Sequence, residues 1–159
     1  MRASVRFRLV RAADVPALVA LINDAYRPVD WWLFKQLRTD ASDLRERLAD
    51  PQAQPIVAEH DGRIAGHLAL WLRPDEAEFG LLATAVELQG RGIGTLLVEE
   101  AERRARDAGY AEIGLHCVHE NGLPAYYASL GYRVTHEERG RMWGADRDWT
   151  LVQMAKALR

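Results

Sequence analysis

A glycine-rich loop between an apolar run and an amphipathic segment constrains this chain more than any other feature. The loop reads Gln89-Gly90-Arg91-Gly92-Ile93-Gly94-Thr95, after the apolar run 79–86 and before the segment 96–106. We expect a strand, a tight turn and a helix. The free N–H groups and the dipole of a helix N-terminus attract anions. Because alternate glycines remove the Cβ atoms that would hold a phosphate away from the backbone, the loop predicts a phosphate cradle.

Two common phosphate motifs do not fit this loop. A dinucleotide fingerprint needs a third glycine or alanine, and that position is Thr95 or Leu97, depending on where the count starts. A Walker loop needs Gly-Lys-Ser/Thr, and no such tripeptide occurs in the sequence. The pattern that remains is Gln89-x-x-Gly92-x-Gly94.

Hydrophobic periodicity and turn residues predict a mixed order of helices and strands. Before the loop we expect a strand near residues 5–10, a helix from Asp14 to about Tyr26 ended by Pro28, and a helix that follows Ser42 or Asp43 and stops at Pro51. A hairpin turns at Asp61-Gly62, and the strand 77–84 follows it. After the loop we expect a helix ended by Gly109, a strand over 113–118, a helix over 124–130, and closing strands over 132–137 and 149–155.

Composition narrows the class of protein. The 159 residues suit a single domain over 1–159, with 48% hydrophobic and 28% charged residues. A formal net charge of −2 gives no reason to expect a nucleic-acid or membrane partner. The sequence shows no signal peptide, and the lone Cys117 cannot form an internal disulfide, so we expect a cytoplasmic protein. We expect no metal site, because alternation in a strand places His116 and Cys117 on opposite faces.

The loop pattern, the element order and a later segment together resemble the GCN5-related N-acetyltransferase (GNAT) family. The later segment, 119–132, ends in Tyr127-Ala128-Ser129-Leu130-Gly131-Tyr132. The resemblance implies an α/β fold with a central, mostly antiparallel mixed sheet, splayed between strands 4 and 5 and flanked by helices. It also implies direct, sequential transfer of an acetyl group from acetyl-CoA to a primary amine.

The resemblance further implies which residues hold acetyl-CoA. The pyrophosphate is expected on the backbone of residues 89–95, which are Gln89, Gly90, Arg91, Gly92, Ile93, Gly94 and Thr95. Main-chain groups of Leu82 and Thr84, at a bulge in the fourth strand, are expected to pair with the pantetheine arm. Asn121 is a further expected cofactor contact, although it lies one residue closer to the tyrosine than the family pattern has it.

Two residues are expected to carry the chemistry. Tyr127, four residues before Gly131, matches the family tyrosine that protonates the leaving thiolate. Glu78, eleven residues before Gln89, matches the spacing of a fourth-strand glutamate that acts as general base. A water chain is an alternative base, as are His67, His116 and His119.

The acceptor side is less constrained by the sequence. Tyr26 and Trp31 lie where the family admits its acceptor, an amine-bearing small molecule or peptide. The aromatic residues suit a substrate pocket and the surface of a homodimer equally well. Two other interpretations stay open: a noncatalytic CoA-binding or regulatory module on the same fold, and a protein that binds another nucleotide through the loop.

Overall fold

The computed structural model of the chain describes residues 4–34, 37–140 and 148–159. The strands are β1 (Arg6–Leu9), β2 (Ala53–His60), β3 (Arg63–Leu72), β4 (Ala77–Thr84), β5 (Glu112–Val118), β6 (Arg133–Gly140) and β7 (Trp149–Ala157). The α-helices are α1 (Val15–Phe34), α2 (Ala41–Leu48), α3 (Ile93–Asp107) and α4 (Leu123–Ser129).

The seven strands form one mixed sheet in the order β1-β2-β3-β4-β5-β7-β6. All neighbours are antiparallel except β4 and β5, which run parallel. In the described part of the chain, β4 and β5 pair through Ala77 with Ile113 and Glu78 with Gly114 alone. Beyond these two pairs the strands diverge and leave a gap. The fold predicted from the sequence, including the splay, is confirmed.

A bulge in β4 lies beside this gap. The register with β3 shifts where His67 pairs with Ala83 and Ala69 pairs with Gly80, so Leu81 and Leu82 oppose the single residue Leu68. Leu81 takes a φ of 51°, which is rare for a branched side chain. An extra residue of this kind bends the strand and redirects the side chains that follow.

The bulge also divides the hydrophobic core between the two faces of the sheet. Before it, Ala77 and Phe79 pack in the cluster that contains α3 and α4 side chains. After it, Leu81 and Ala83 pack in the cluster that contains α1 and α2 side chains. In a regular strand of the same sequence, with no bulge, these four side chains would share one face, because side chains in a strand alternate.

Two predicted helix boundaries are wrong. Helix α1 continues through Pro28 to Phe34 instead of ending near Tyr26. Pro28 lies on the exposed face of the helix, where the carbonyl that loses its partner is open to water. Helix α2 begins at Ala41, two or three residues earlier than predicted, since the Asp40 carboxylate caps it by accepting from the Asp43 N–H. The hairpin at Asp61-Gly62 and the bounds of β4 are confirmed.

Candidate active site

The glycine loop leads into helix α3, and the first N–H groups of this helix have no partner within it. Gly90 and Gly92 both have a φ of 81°, a backbone region that non-glycine residues rarely adopt. Gly92 is the N-cap, and the Leu96 N–H donates to the Gly92 carbonyl at 3.0 Å as the first hydrogen bond of the helix. The preceding amides of the first turn are therefore available to an anion.

These amides border a cavity of about 510 Å³, called here the loop cavity. Its walls come from the loop, the end of β4, helix α1 and helix α4. The lining residues are Ala25, Tyr26, Val29, Leu82, Ala83, Thr84, Gln89, Gly90, Gly92, Ile93, Gly94, Thr95, Leu123, Tyr126 and Tyr127. All the residues predicted to bind the cofactor are among them except Arg91, which is exposed, and Asn121, which lies elsewhere.

A side chain that the sequence reasoning missed completes the loop cavity. The Tyr126 hydroxyl lies 3.1 Å from the Thr95 hydroxyl, and a Cβ on Gly94 would lie 3.5 Å from the same phenol oxygen. Tyr126 therefore ties helix α4 to the start of α3. Its position next to Tyr127 was the available signal, since both residues line the loop cavity.

A second cavity of about 160 Å³, the gap cavity, lies between the diverging strands β4 and β5. It shares Tyr26, Leu82, Leu123 and Tyr127 with the loop cavity. Tyr127 thus stands where the two cavities meet. Asn121, expected at the cofactor, borders the gap cavity instead.

Tyr127 is almost fully buried among aromatic rings. It packs edge-on against Phe79, Tyr126 and Tyr132, with ring centroids 5.1–6.0 Å apart. Burial raises the pKa of the Tyr127 phenol well above its usual value of 10. The phenol is therefore protonated at neutral pH and acts as a hydrogen-bond donor.

The gap cavity also has a buried acid in its wall. Asp30 on α1 is 6% exposed, and burial raises the pKa of its carboxyl. Arg38 borders the same cavity and lies over the Tyr26 ring at 4.9 Å. Of the two residues expected at the acceptor, Tyr26 lines both cavities. Trp31 is 39% exposed, and the Arg27 guanidinium lies 5.1 Å from its ring centroid.

Glu78 lies on β4, away from the cavities that Tyr127 of helix α4 lines. It borders a groove of about 410 Å³ that contains neither Tyr127 nor the loop, and it is not among the residues that line the loop cavity or the gap cavity. Its carboxylate contacts His116 on β5, with Glu78 Oε1 3.0 Å from His116 Nδ1. His116 borders both the groove and the gap cavity.

His67, an alternative base in the sequence, has a different role. It is fully buried, and its Nδ1 lies 2.9 Å from the Leu81 carbonyl in the bulge, to which Nδ1–H donates. Burial lowers the pKa of His67 to about 4. The histidine therefore holds the bulge in its neutral form. Burial likewise raises the pKa of the Cys117 thiol to about 11, so this thiol is not an activated nucleophile.

The part of the chain that the structure describes lacks two further features, a cluster of metal ligands and a membrane-spanning helix. Residues 4–34, 37–140 and 148–159 contain no group of three or more His, Cys, Asp or Glu side chains placed to hold a metal ion. Within the same ranges, no helix has the length and apolar character needed to cross a membrane.

Comparison with known proteins agrees with this architecture. The model of the Acetyltransferase (GNAT) family matches residues 16–132. A protein of Bacillus subtilis (strain 168) named as a ribosomal protein bS18-alanine N-acetyltransferase is 33% identical over 63 residues, which cover 40% of this chain and 42% of that protein. The match thus spans about two fifths of that relative's length.

Solved structures match over nearly the whole chain. A ribosomal-protein-alanine N-acetyltransferase from Brucella melitensis has a TM-score of 0.76 and 25% identity, covering 96% of this chain and 99% of that one. A spermidine N-acetyltransferase from Vibrio cholerae, in complex with CoA and spermine, has a TM-score of 0.78 and 19% identity, covering 97% and 95%. The chain belongs to the GNAT acetyltransferase family, and its fold and cleft are those of an acetyl-CoA-dependent acyltransferase.

Proposed function

We propose that this chain, as one domain over residues 1–159, transfers the acetyl group of acetyl-CoA to a primary amine by direct attack in a sequential reaction. The observation that carries the proposal is the position of Tyr127, which lies where the loop cavity meets the gap cavity. A donor held in one cavity and an acceptor in the other would meet beside this phenol.

The backbone of the loop is the proposed anchor for the donor. The free amides of the first turn of α3 suit a pyrophosphate, and the unpaired edge of β4 beyond Glu78 suits the amides of a pantetheine arm. Charge-assisted hydrogen bonds contribute roughly 1.5–3 kcal/mol each, against about 0–1 kcal/mol for an exposed ion pair. The loop amides should therefore dominate the affinity over the exposed Arg91.

Tyr127 is the proposed acid. When bound, acetyl-CoA supplies an acetyl thioester that an amine can attack. The buried phenol donates a hydrogen bond to the sulfur as negative charge develops there, which stabilises the departing thiolate. Because the pKa of Tyr127 is raised, full proton transfer from the phenol to a solvent-exposed thiolate is unfavourable. Transfer becomes favourable when burial in the same cavity also raises the pKa of the departing thiol.

The acceptor is proposed to enter through the gap cavity. Tyr26 and the buried Asp30 carboxylate line it, and a carboxylate attracts an amine that arrives as its ammonium form. Trp31 is the proposed outer contact, on the surface of the same helix. Relatives are named as N-acetyltransferases of a ribosomal-protein alanine and of spermidine, which supports a peptide or small-molecule amine as the acceptor. The free, buried Cys117 supports a cytoplasmic location.

Parallel thermal shifts with acetyl-CoA, CoA, ATP and NAD test donor binding. A ligand at a hundredfold over its Kd stabilises by about 2.7 kcal/mol, which corresponds to roughly 5–10 °C for a chain of this size. We expect shifts with acetyl-CoA and CoA and none with ATP or NAD. The reverse pattern would favour a site for another nucleotide.

Thiol release from acetyl-CoA tests the transfer itself. The acceptors are spermidine, an amino acid panel and short peptides with N-terminal alanine. Release that depends on one of these amines supports the enzyme. Binding of acetyl-CoA without release on any amine would favour the noncatalytic CoA-binding module.

A further inference from the structure

Three polar side chains form a row across three neighbouring strands on the sheet face opposite α3. Glu78 of β4 contacts His116 Nδ1 at 3.0 Å, and the Gln153 side-chain nitrogen of β7 lies 2.8 Å from His116 Nε2. On β5, Ile113, Leu115 and Cys117 point into the cluster under α3, so His116 projects from the other face. The imidazole is 38% exposed and the Glu78 carboxylate 24% exposed.

These two contacts favour one tautomer of the neutral His116 ring. An ionised carboxylate can only accept a hydrogen bond, so Nδ1 carries the proton and donates it to Glu78. Nε2 is then unprotonated and accepts from the Gln153 amide. The unprotonated Nε2 is the form a general base needs, and an acceptor amine takes the place of the Gln153 amide when it gives its proton to this nitrogen.

His116 connects two spaces that Glu78 by itself does not. Glu78 lines the 410 Å³ groove and lies outside the residues that line the gap cavity. His116 lines both, and the gap cavity is also bordered by Tyr127. A base that serves an amine beside Tyr127 must reach the gap cavity, and of this pair only His116 does.

We propose that His116 is the catalytic base, and that Glu78 is a positioning residue which acts through it. This deepens the proposed function and rests on it. The ammonium form of the acceptor first releases one proton to solvent; its neutral nitrogen then forms a bond to the acetyl carbon and gives a second proton to His116 Nε2. The carbon–sulfur bond breaks, and the sulfur receives its proton from the Tyr127 phenol. The imidazolium and the phenolate then return to their starting forms by exchanging one proton, so the products are an N-acetyl amine and a free thiol.

Charged groups on four elements or connections face this imidazole. Glu78 and the adjacent Glu76 both raise the pKa of His116, and the hydrogen bond from Glu78 is the largest cause. Arg73 lies 3.9 Å from Glu78 Oε2, and its positive charge partly offsets the negative charge of this carboxylate. Asp30 and Arg38 lie across the gap cavity and have opposite charges. The net field therefore stabilises the imidazolium that the reaction forms.

The kinetic test compares His116→Gln, Glu78→Gln and the control His60→Gln. His60 bonds the Ser4 carbonyl at the far end of the sheet, so its loss should leave turnover unchanged. The acceptor is the amine that the wild type acetylates fastest. We expect His116→Gln to lower kcat roughly a hundredfold or more, with the Kd for acetyl-CoA unchanged. The acidic limb of the pH profile should disappear in His116→Gln and move to lower pH in Glu78→Gln.

An acceptor-free measurement separates this proposal from the proposed function. NMR titration of the His116 ring should show a pKa above the usual 6.5 or so in the wild type and a fall toward that value in Glu78→Gln. An unchanged ring titration in Glu78→Gln, or full kcat in His116→Gln, would overturn the role of the pair while leaving acetyl transfer intact. If the wild type binds acetyl-CoA but acetylates no amine, the proposed function fails first and this assignment fails with it.

Discussion

The loop cavity and the gap cavity touch at Tyr127 but are built in different ways. The loop cavity depends on backbone: two glycines with φ of 81° and the free amides that open α3. The gap cavity depends on side chains from α1, β4, β5 and the α4 region, brought together where the sheet splays. A site built from backbone should keep its binding when most side chains are changed and lose it when its glycines are replaced. A site built from side chains should be weakened by the substitution of any one of them.

The largest expected effect is at Gly92. Gly92→Glu should weaken acetyl-CoA binding by more than a hundredfold, because it places a carboxylate where the helix N-terminus attracts a phosphate. Isothermal titration with acetyl-CoA measures the loss. Gly92→Ala is the matched control, since it has the same left-handed backbone cost of roughly 1 kcal/mol without the charge. Equal affinity in the two variants would contradict the phosphate assignment.

Tyr127→Phe tests the junction of the two cavities. Turnover should fall about 10–1,000-fold through loss of the hydroxyl, while the Kd for acetyl-CoA changes by less than about threefold because the ring still packs among its aromatic neighbours. Steady-state kinetics and titration of the same preparation give both values. Parallel losses in turnover and binding would assign Tyr127 to packing.

His67 tests the bulge that separates the two cavities. Its pKa of about 4 lies below the value near 6.5 of an unfolded histidine, so between these values the unfolded state binds the extra proton. Stability is therefore complete above about pH 6.5 and is lost as the pH falls toward 4. Urea unfolding at pH 7 and pH 5 should show a loss about 2 kcal/mol larger in the wild type than in His67→Gln. Equal losses would mean that His67 keeps its proton in the folded state.

The smallest expected effect is at Arg91, which is exposed beside the loop. Arg91→Ala should weaken acetyl-CoA binding less than about fivefold, since an exposed ion pair contributes about 0–1 kcal/mol. Titration at low and high salt checks this value. A loss near that of Gly92→Glu would show that the side chain, and not the backbone, holds the pyrophosphate.

The sequence by itself determined the loop, the order of elements and the family. These depend on local rules: glycines at left-handed positions, the Asp61-Gly62 turn, and apolar periods that distinguish β4 from α3. Because the glycine loop and the end of β4 are close in the sequence, most of the residues that they contribute to the loop cavity could be named in advance. Pro28 misled the same reasoning, since a proline signals a helix end without indicating whether the freed carbonyl is exposed to water.

The tertiary structure alone decided the contacts between distant segments. Glu78 and His116 are 38 residues apart and meet because β4 and β5 are neighbours in the sheet. Asp30 reaches the gap cavity because α1 continues past Pro28, and Asn121 lies there because β4 and β5 diverge. Local patterns specify backbone conformation. Side-chain neighbours across a sheet depend on strand order, on register and on a single bulge, and none of these can be predicted from the spacing of residues within one segment.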